Sequence, residues 1–461
     1  MDSLSGGPHK DTIDSLQKQI YFYAGETHRL KYAQNSHVPV SRLQAELLSD
    51  VFLYLVESGL QGRNTYFVPG TFSFLQVCRR WNEVGVGFPR LWSLWVAGAI
   101  EAWPLFKSRS KVAPLYLTWR PRLPDSARDT LIDPTIPRRV QQLDFSGTSD
   151  QLAHFLGVFD SSPPSNVSSI RLQIDRYDDR EPRERFSHLL SSPFPKLSEI
   201  NIGNFLPSPS SPIFTTSKLT SLKLFLPYGK EGRHTLVHFS QILQQNPNLR
   251  ELDLNSGAIP LPGISETPAP FVLPQLVELR LHGTMGDISG FMDLIGMSSP
   301  LHNVLIHFDR VPQVTGPIFA STMKKIVASY YNCQGLDYSR KIDSLTISSP
   351  TSGLHLIVDA RSRSTPMSNF KLLFACVYGP GCEGLVQETL GLLPSETIRE
   401  FTVEELALTR GMLEKMKDIS HLHICNQNTE FVGLSVKALS LGNQGASPKF
   451  CQEDTELHVP V

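Results

Sequence analysis

The chain has 461 residues and a formal net charge of -1, from 43 Lys and Arg against 44 Asp and Glu. This balance excludes a general nucleic-acid binder, whose phosphate contacts need a basic excess. With 40% hydrophobic residues a large core can form, and length alone allows about three average domains. The cysteines, Cys78, Cys333, Cys376, Cys382, Cys425 and Cys451, form no C-x-x-C pair and are too sparse for a disulfide framework. The N-terminus shows no basic start followed by an apolar run. The longest apolar run, Leu91 to Ile100, is far short of a membrane span. A soluble protein of the cytoplasm or nucleus is expected.

Ile13, Leu16, Ile20, Tyr23, Thr27 and Leu30 recur at alternating spacings of three and four, which predicts an amphipathic helix over residues 10–36. Its short seam suits an exposed or docked helix and leaves self-pairing as a coiled coil open. His37-Val38-Pro39 stops it, because a residue before proline is pushed out of the helical region. Residues 38–100 then read as a small helical module. Leu47, Leu48, Val51, Phe52 and Leu55 form an apolar stripe on a first helix, and Glu57 to Gly70 is a polar insertion. A second helix is expected from Phe72 to Glu83, and a third from Pro89 to Trp95. Three short helices have little core of their own, so the module is expected to lean on a neighbour.

The order L-x-x-E-L-L-x-x-V-F-x-x-L over Leu43 to Leu55, then L-x-V-C-R-R-W-x-x-V over Leu75 to Val84, then Pro89-Arg-Leu-Trp92, resembles an F-box of the type expanded in basidiomycete fungi. The resemblance covers about sixty residues. It implies docking on the Skp-family adaptor of a cullin–RING ubiquitin ligase, and through it on a cullin scaffold. Leu43, Gln44, Glu46, Leu47, Val51, Phe52, Leu75, Val77 and Trp81 are the positions it points to, either meeting the adaptor or holding the helices that do. Gln44 departs from the pattern, since the family commonly has proline there.

From residue 105 to 436 the pattern L-x-x-L-x-L returns eleven times, with first positions Val112, Val140, Val167, Leu197, Leu219, Leu249, Leu276, Leu301, Ile342, Ile398 and Ile419. Most copies lie 21 to 30 residues apart, with two longer gaps of 41 and 56. Such periods predict a leucine-rich-repeat-like solenoid, each copy supplying one strand of a parallel sheet. The second and third apolar positions share one strand face and stack on the next copy. Segments such as Leu236 to Leu243 would form helices on the other side, with Asn246-Pro247 turning into the next strand. The longest gap contains two apolar runs, expected as a β-hairpin near residues 354–377, followed by a helix over Leu385 to Leu393. The Pro/Ser-rich stretches Pro207–Pro212 and Pro260–Pro274 read as mobile loops, and residues 437–461 as a flexible tail. The fold class is therefore α/β: an N-terminal helix, a helical module and an irregular solenoid.

Chemistry-bearing motifs are weak. G-x-S-x-G, H-E-x-x-H and the phosphate-loop pattern are absent from the sequence. Gly379-Pro-Gly-Cys-Glu-Gly384 lacks the lysine and hydroxyl of a phosphate loop, and Asp175 to Arg185 reads as a solvated loop. His421 and His423 share a strand face without an evident third ligand, and Cys376 sits in an apolar strand where a buried thiol is usual. No catalytic residue, metal site or cofactor is expected, and no nucleic-acid or membrane partner. The expected function is substrate recognition in an SCF-type ligase, the F-box binding the adaptor and the concave strand face binding an unknown client protein. Lys223, Asp253, Arg280, His302, Thr346, Thr402 and His423 are the candidate client-facing positions. A leucine-rich scaffold that no longer binds the adaptor is the alternative, and an enzyme without a recognisable motif a more distant one.

Overall fold

The computed structural model describes residues 7–61, 72–96, 102–119, 135–157, 164–174, 194–215, 218–226, 235–260, 270–296, 301–309, 317–331, 344–348, 355–361, 369–375, 400–404 and 421–425, with a few single positions between them. The expected helix at 385–393 (beyond Thr389, Leu390, Gly391 and Leu393), the glycine-rich turn at 379–384, the charged stretch 175–185, Cys376 and Cys382, and the tail at 437–461 lie outside the described residues. The chain divides into two compact units, residues 1–141 and 142–461.

In the first unit, α1 (Gly7–Ser36) is followed by a 3-10 turn at Pro39–Arg42 and by α2 (Ala45–Gln61). A 3-10 turn at Ser73–Gln76, α3 (Arg79–Gly87) and a 3-10 turn at Pro89–Ser93 come next. Then β1 (Leu94–Val96), α4 (Trp103–Ser110) and β2 (Leu115–Trp119) close the unit. The two strands pair in parallel, Trp95 opposite Leu117. The first copy of the leucine pattern thus supplies a strand to this unit.

Two of the three expected module helices differ. The helix predicted over 72–83 is broken at Cys78, whose extended backbone (φ -158, ψ 166) starts α3. The break lets the Asn82 amide donate to the Leu75 carbonyl at 3.1 Å, satisfying an acceptor that the interrupted helix leaves over. The predicted third helix is a 3-10 turn that runs directly into β1, because Trp92 and Trp95 are both drawn inward. The Trp92 indole N–H donates to the Gly85 carbonyl at 2.8 Å, and that of Trp95 to the Trp92 carbonyl at 3.0 Å. Buried rings need such a partner for the indole N–H.

In the second unit the strands are β3 (Val140–Gly147, beginning at the unit boundary), β4 (Ser169–Ile174), β5 (Glu199–Gly203), β6 (Ser221–Leu226) and β7 (Glu251–Ser256). They continue with β8 (Phe271–Val272), β9 (Glu278–Gly283), β10 (Ile295–Gly296), β11 (Asn303–Phe308) and β12 (Ser344–Ser348). The last four are β13 (His355–Arg361), β14 (Asn369–Ala375), β15 (Glu400–Glu404) and β16 (His421–Cys425). The intervening helices are α5 (Ser149–Gly157), α6 (Leu236–Gln245), α7 (Met285–Met292) and α8 (Pro317–Tyr331). One large sheet runs β3-β4-β5-β6-β7-β9-β11-β14-β13-β12-β15-β16, and β8 pairs separately with β10. This is a mixed α/β architecture of the solenoid kind, with mostly parallel strands and, among the described residues, no closed barrel.

Each copy of the leucine pattern forms a strand here. Burial alternates residue by residue along β6, β9 and β11, with Leu222, Leu224, Leu279, Leu281, Val304 and Ile306 inside. The helices bring Phe239, Ile242, Ile288 and Phe291 into the same core. Thr235 and Thr284 cap α6 and α7 by accepting from the N–H groups of His238 and Asp287. Buried Asn246 ends α6 and donates to the Phe214 and Ile242 carbonyls at 2.7 and 2.8 Å, which explains the predicted turn at that point. The stretch at 207–212 is a packed loop rather than a mobile one: Pro207 and Ser211 are buried beside Ile213 and Phe214.

The expected hairpin is present, and it is inserted within the sheet. β14 continues in parallel from β11, β13 is antiparallel to both β14 and β12, and β15 and β16 resume the parallel run. Among the described residues no helix is long and apolar enough to cross a membrane.

Candidate protein-interaction surfaces

Helix α2 carries two apolar stripes, not the single one its sequence suggests. Leu48, Phe52 and Val56, spaced by four, are 0%, 0% and 2% exposed. Leu47, Val51 and Leu55, shifted by one residue, are 52%, 43% and 45% exposed, beside Tyr54 at 71%. Side chains four apart stack on one helix face, so the inner set builds the core and the outer set faces solvent.

The inner stripe is anchored by aromatic contacts. The Phe52 ring stacks on Phe74 at 4.3 Å and meets Trp81 at 5.3 Å. Gly85 of α3 lies against this cluster so closely that a Cβ there would sit 2.2 Å from the end of Leu75. Phe52 is therefore a core residue that holds the helices together, one of the two roles expected of these positions, since a fully buried side chain cannot serve a surface at the same time. Leu75 and Trp81 are half-buried in the same role. Leu43 is half-buried, and its carbonyl accepts a hydrogen bond from the Arg80 guanidinium, tying the start of α2 to α3. Gln44 and Glu46 are exposed at the N-terminal end of α2, and the Gln44 carbonyl accepts from the Leu48 N–H at 3.0 Å. Val77, 59% exposed, ends the 3-10 turn before α3. Of the nine positions, the structure exposes Gln44, Glu46, Leu47, Val51 and Val77 and turns the others inward in part or whole.

A groove of about 870 Å³ lies within this unit between the second half of α1 and residues 75–82, lined among others by His28, Tyr32, Val77, Arg79 and Arg80. The seam of α1 itself is open: Ile13, Leu16, Ile20, Tyr23 and Leu30 are each more than half exposed.

In the second unit one face of the sheet presents polar residues in rows. The middle row reads Asp144, Arg171, Asn201, Lys223, Asp253, Arg280, Leu305 and Lys371 across β3 to β14. It continues through Asp359, Thr346, Thr402 and His423 on β13, β12, β15 and β16. Six of the seven expected client-facing positions thus share one row. His302 does not. Its backbone N–H donates to the Val277 carbonyl, as that of Val277 donates to Arg250 and that of Arg250 to Thr220, so it belongs to the turn that enters each strand. Leu305 takes its place in the row. Lys371 and Asp359 went unnoticed in the sequence because the hairpin interrupts the repeat spacing. The matching offset, one residue between two apolar positions in Phe370-Lys371-Leu372 and Val358-Asp359-Ala360, is the signal that would have found them.

Both signs of charge occur along this row, and ion pairs brace it. Lys223 meets Glu251 at 2.6 Å, and the Ser221 hydroxyl donates to the same carboxylate at 2.8 Å. Burial pushes Glu251 upward, but these partners outweigh it and hold its carboxyl below the ordinary value. Asp253 is pushed up to about 6, chiefly by burial and against the pull of Arg280 and Lys223. Arg280 reaches back to Glu278 at 3.4 Å, and the Asn303 amide donates to Glu278 at 2.6 Å. The face is a braced polar surface with mixed charge. His421 and His423 occupy β16, whose side chains lie outside the described residues.

The chain matches no known family of protein sequences and no curated protein. Among solved structures it is similar to that of the Rad7 and Elc1 complex in yeast, at 13% identity and a TM-score of 0.34, over 91% of this chain and 87% of that one.

Proposed function

We propose that the chain is the substrate-recognition subunit of an SCF-type cullin–RING ubiquitin ligase, its helical module binding a Skp-family adaptor and its sheet face a client protein. The observation that carries the reading is the outer stripe of α2. Leu47, Val51 and Leu55 stand exposed on a helix whose neighbouring stripe is fully buried, within the stretch that resembles an F-box. Contiguous apolar residues left on a surface mark a site for another protein, and an amphipathic helix face is a common way to present one. In the solenoid, the row from Arg171 to Lys371 supplies regularly spaced charges on a rigid frame, which suits recognition of a protein surface. Nothing in this reading requires catalytic chemistry in the chain itself; transfer of ubiquitin belongs to the rest of the ligase.

The test is co-expression with a Skp-family adaptor followed by size-exclusion chromatography of wild type, Gln44→Pro and a Leu47→Asp/Val51→Asp variant. Both aspartates go to exposed positions, so the variant is expected to fold. Co-elution by wild type that the double variant loses supports the reading. Rescue by Gln44→Pro alone favours a scaffold whose adaptor site has decayed, a reading to which the exposed glutamine in place of proline gives its one support. Failure of all three, with the protein folded, overturns the adaptor assignment.

A further inference from the structure

We propose that His282, His307 and Asp309 form a divalent-metal site of the zinc class on the open face of the sheet. The three residues come from two neighbouring strands. β9 and β11 pair in parallel with His282 directly opposite His307, each one residue past a buried apolar position, Leu281 and Ile306. Both imidazoles therefore emerge on the polar side of the sheet. Asp309 follows β11 by one residue, and its backbone N–H donates to the Gly283 carbonyl at 2.9 Å. That bond carries the strand register past the end of β11, which returns the carboxylate to the side of His307.

The side chains converge. His282 Nε2 lies 2.7 Å from Asp309 Oδ1, and the two imidazole rings stack with centroids 4.0 Å apart and an interplanar angle of 7°. One ligand atom from each of the three residues falls within 4.8 Å of the others. A zinc ion bonded at about 2.0–2.1 Å to tetrahedral ligands holds them about 3.3 Å apart. Side-chain rotations of about 1.5 Å or less would therefore suffice, and the strand backbone need not move. Two neutral imidazoles and a carboxylate are a ligand set that zinc accepts, with a fourth position left for water. The surroundings suit a cation. The register neighbour on the β7 side is Asn255, and the closest cation along β9, Arg280, is engaged with Glu278. A His–Asp hydrogen bond alone would not need His307 stacked within the same small volume, and face-to-face rings at this distance disfavour two positive charges. A shared metal uses both imidazoles in their neutral form.

The full-length chain, freed of metal by dialysis against a chelator, is titrated with Zn²⁺ in competition with a chromogenic chelator. Co²⁺ is used in parallel for its visible absorption. Wild type is expected to bind one Zn²⁺ that His282→Gln, His307→Gln and the near-isosteric Asp309→Asn weaken by at least about tenfold, while the exposed His238→Gln leaves it unchanged. Zinc is also expected to raise the melting temperature of wild type and not of the three variants, whose circular dichroism reports that they are folded. Equal zinc binding by wild type and the two histidine variants, or a Co²⁺ spectrum that the variants leave untouched, would overturn the assignment.

Discussion

Replacing Phe52 with alanine removes a ring that is fully buried and held between Phe74 at 4.3 Å and Trp81 at 5.3 Å. The neighbours cannot close the gap freely: Phe74 belongs to a 3-10 turn, and α3 is pinned to the start of α2 by Arg80 and to the following turn by Trp92. A cost at the usual level for Phe→Ala in a core, about 3–5 kcal/mol, is expected. Val51, one residue earlier, keeps 43% of its surface exposed where Phe52 keeps none; its alanine variant is expected to cost about 0.5 kcal/mol or less. The two substitutions differ by one position on one helix, so propensity does not separate them, and burial alone sets the contrast. Urea unfolding of the full chain, followed by tryptophan fluorescence, measures it, since Trp81, Trp92, Trp95 and Trp103 all lie in the first unit. The reasoning fails if Phe52→Ala costs under about 1 kcal/mol, or if Val51→Ala costs as much as Phe52→Ala.

Three further outcomes are expected. Asp253 is raised to about 6 from 3.8, so the native state holds its proton more tightly than the unfolded one; its contribution is present below about pH 4 and is lost as pH rises through about 6. Asp253→Asn should therefore gain on wild type between pH 5 and 7.5, by about 1–1.5 kcal/mol, read as the difference between their melting temperatures at the two pH values; a constant difference refutes it. Thr235→Ala and Thr284→Ala each remove a helix cap and should each destabilise the second unit by about 1 kcal/mol, read from urea unfolding followed by far-UV circular dichroism because the five tryptophans lie in the first unit. Gly85→Ala forces the Leu75 side chain aside and should cost about 1–3 kcal/mol, whereas Gly87→Ala, which has open space around it, should leave stability unchanged or raise it.

The repeat was legible because its physics is local. A strand with one buried face must alternate, and Leu222-Lys-Leu224 or Leu279-Arg-Leu281 states that alternation in three residues. The double stripe of α2 was not, because Leu47-Leu48 and Val51-Phe52 are adjacent apolar pairs and only packing decides which member goes inside. His302 was misplaced for a related reason: the pattern L-x-x-L-x-L has three intervening positions, and only the strand register separates the turn residue from the face residue. The break at Cys78 depends on Asn82 reaching the Leu75 carbonyl, a side-chain bond with no signature in hydrophobic spacing. The trio of His282, His307 and Asp309 could have been found, since both histidines immediately follow the third apolar position of consecutive copies.

The hairpin of β13 and β14 has a meaning for how such a sheet can change. Because β14 runs with β11 and β13 alone runs against its neighbours, two reversals of direction cancel, and β12 leaves the insertion pointing the same way as β11 entered it. The two strands form a cassette that is neutral with respect to polarity. Excising it would let β12 meet β11 in parallel, with the inward and outward positions of the row still in phase: Leu305 would face Thr346 where Lys371 and Asp359 now stand between them. The sheet can thus lengthen or shorten its surface by a pair of strands at this point without recoding any repeat that follows, and the residues gained or lost lie directly in the charged row.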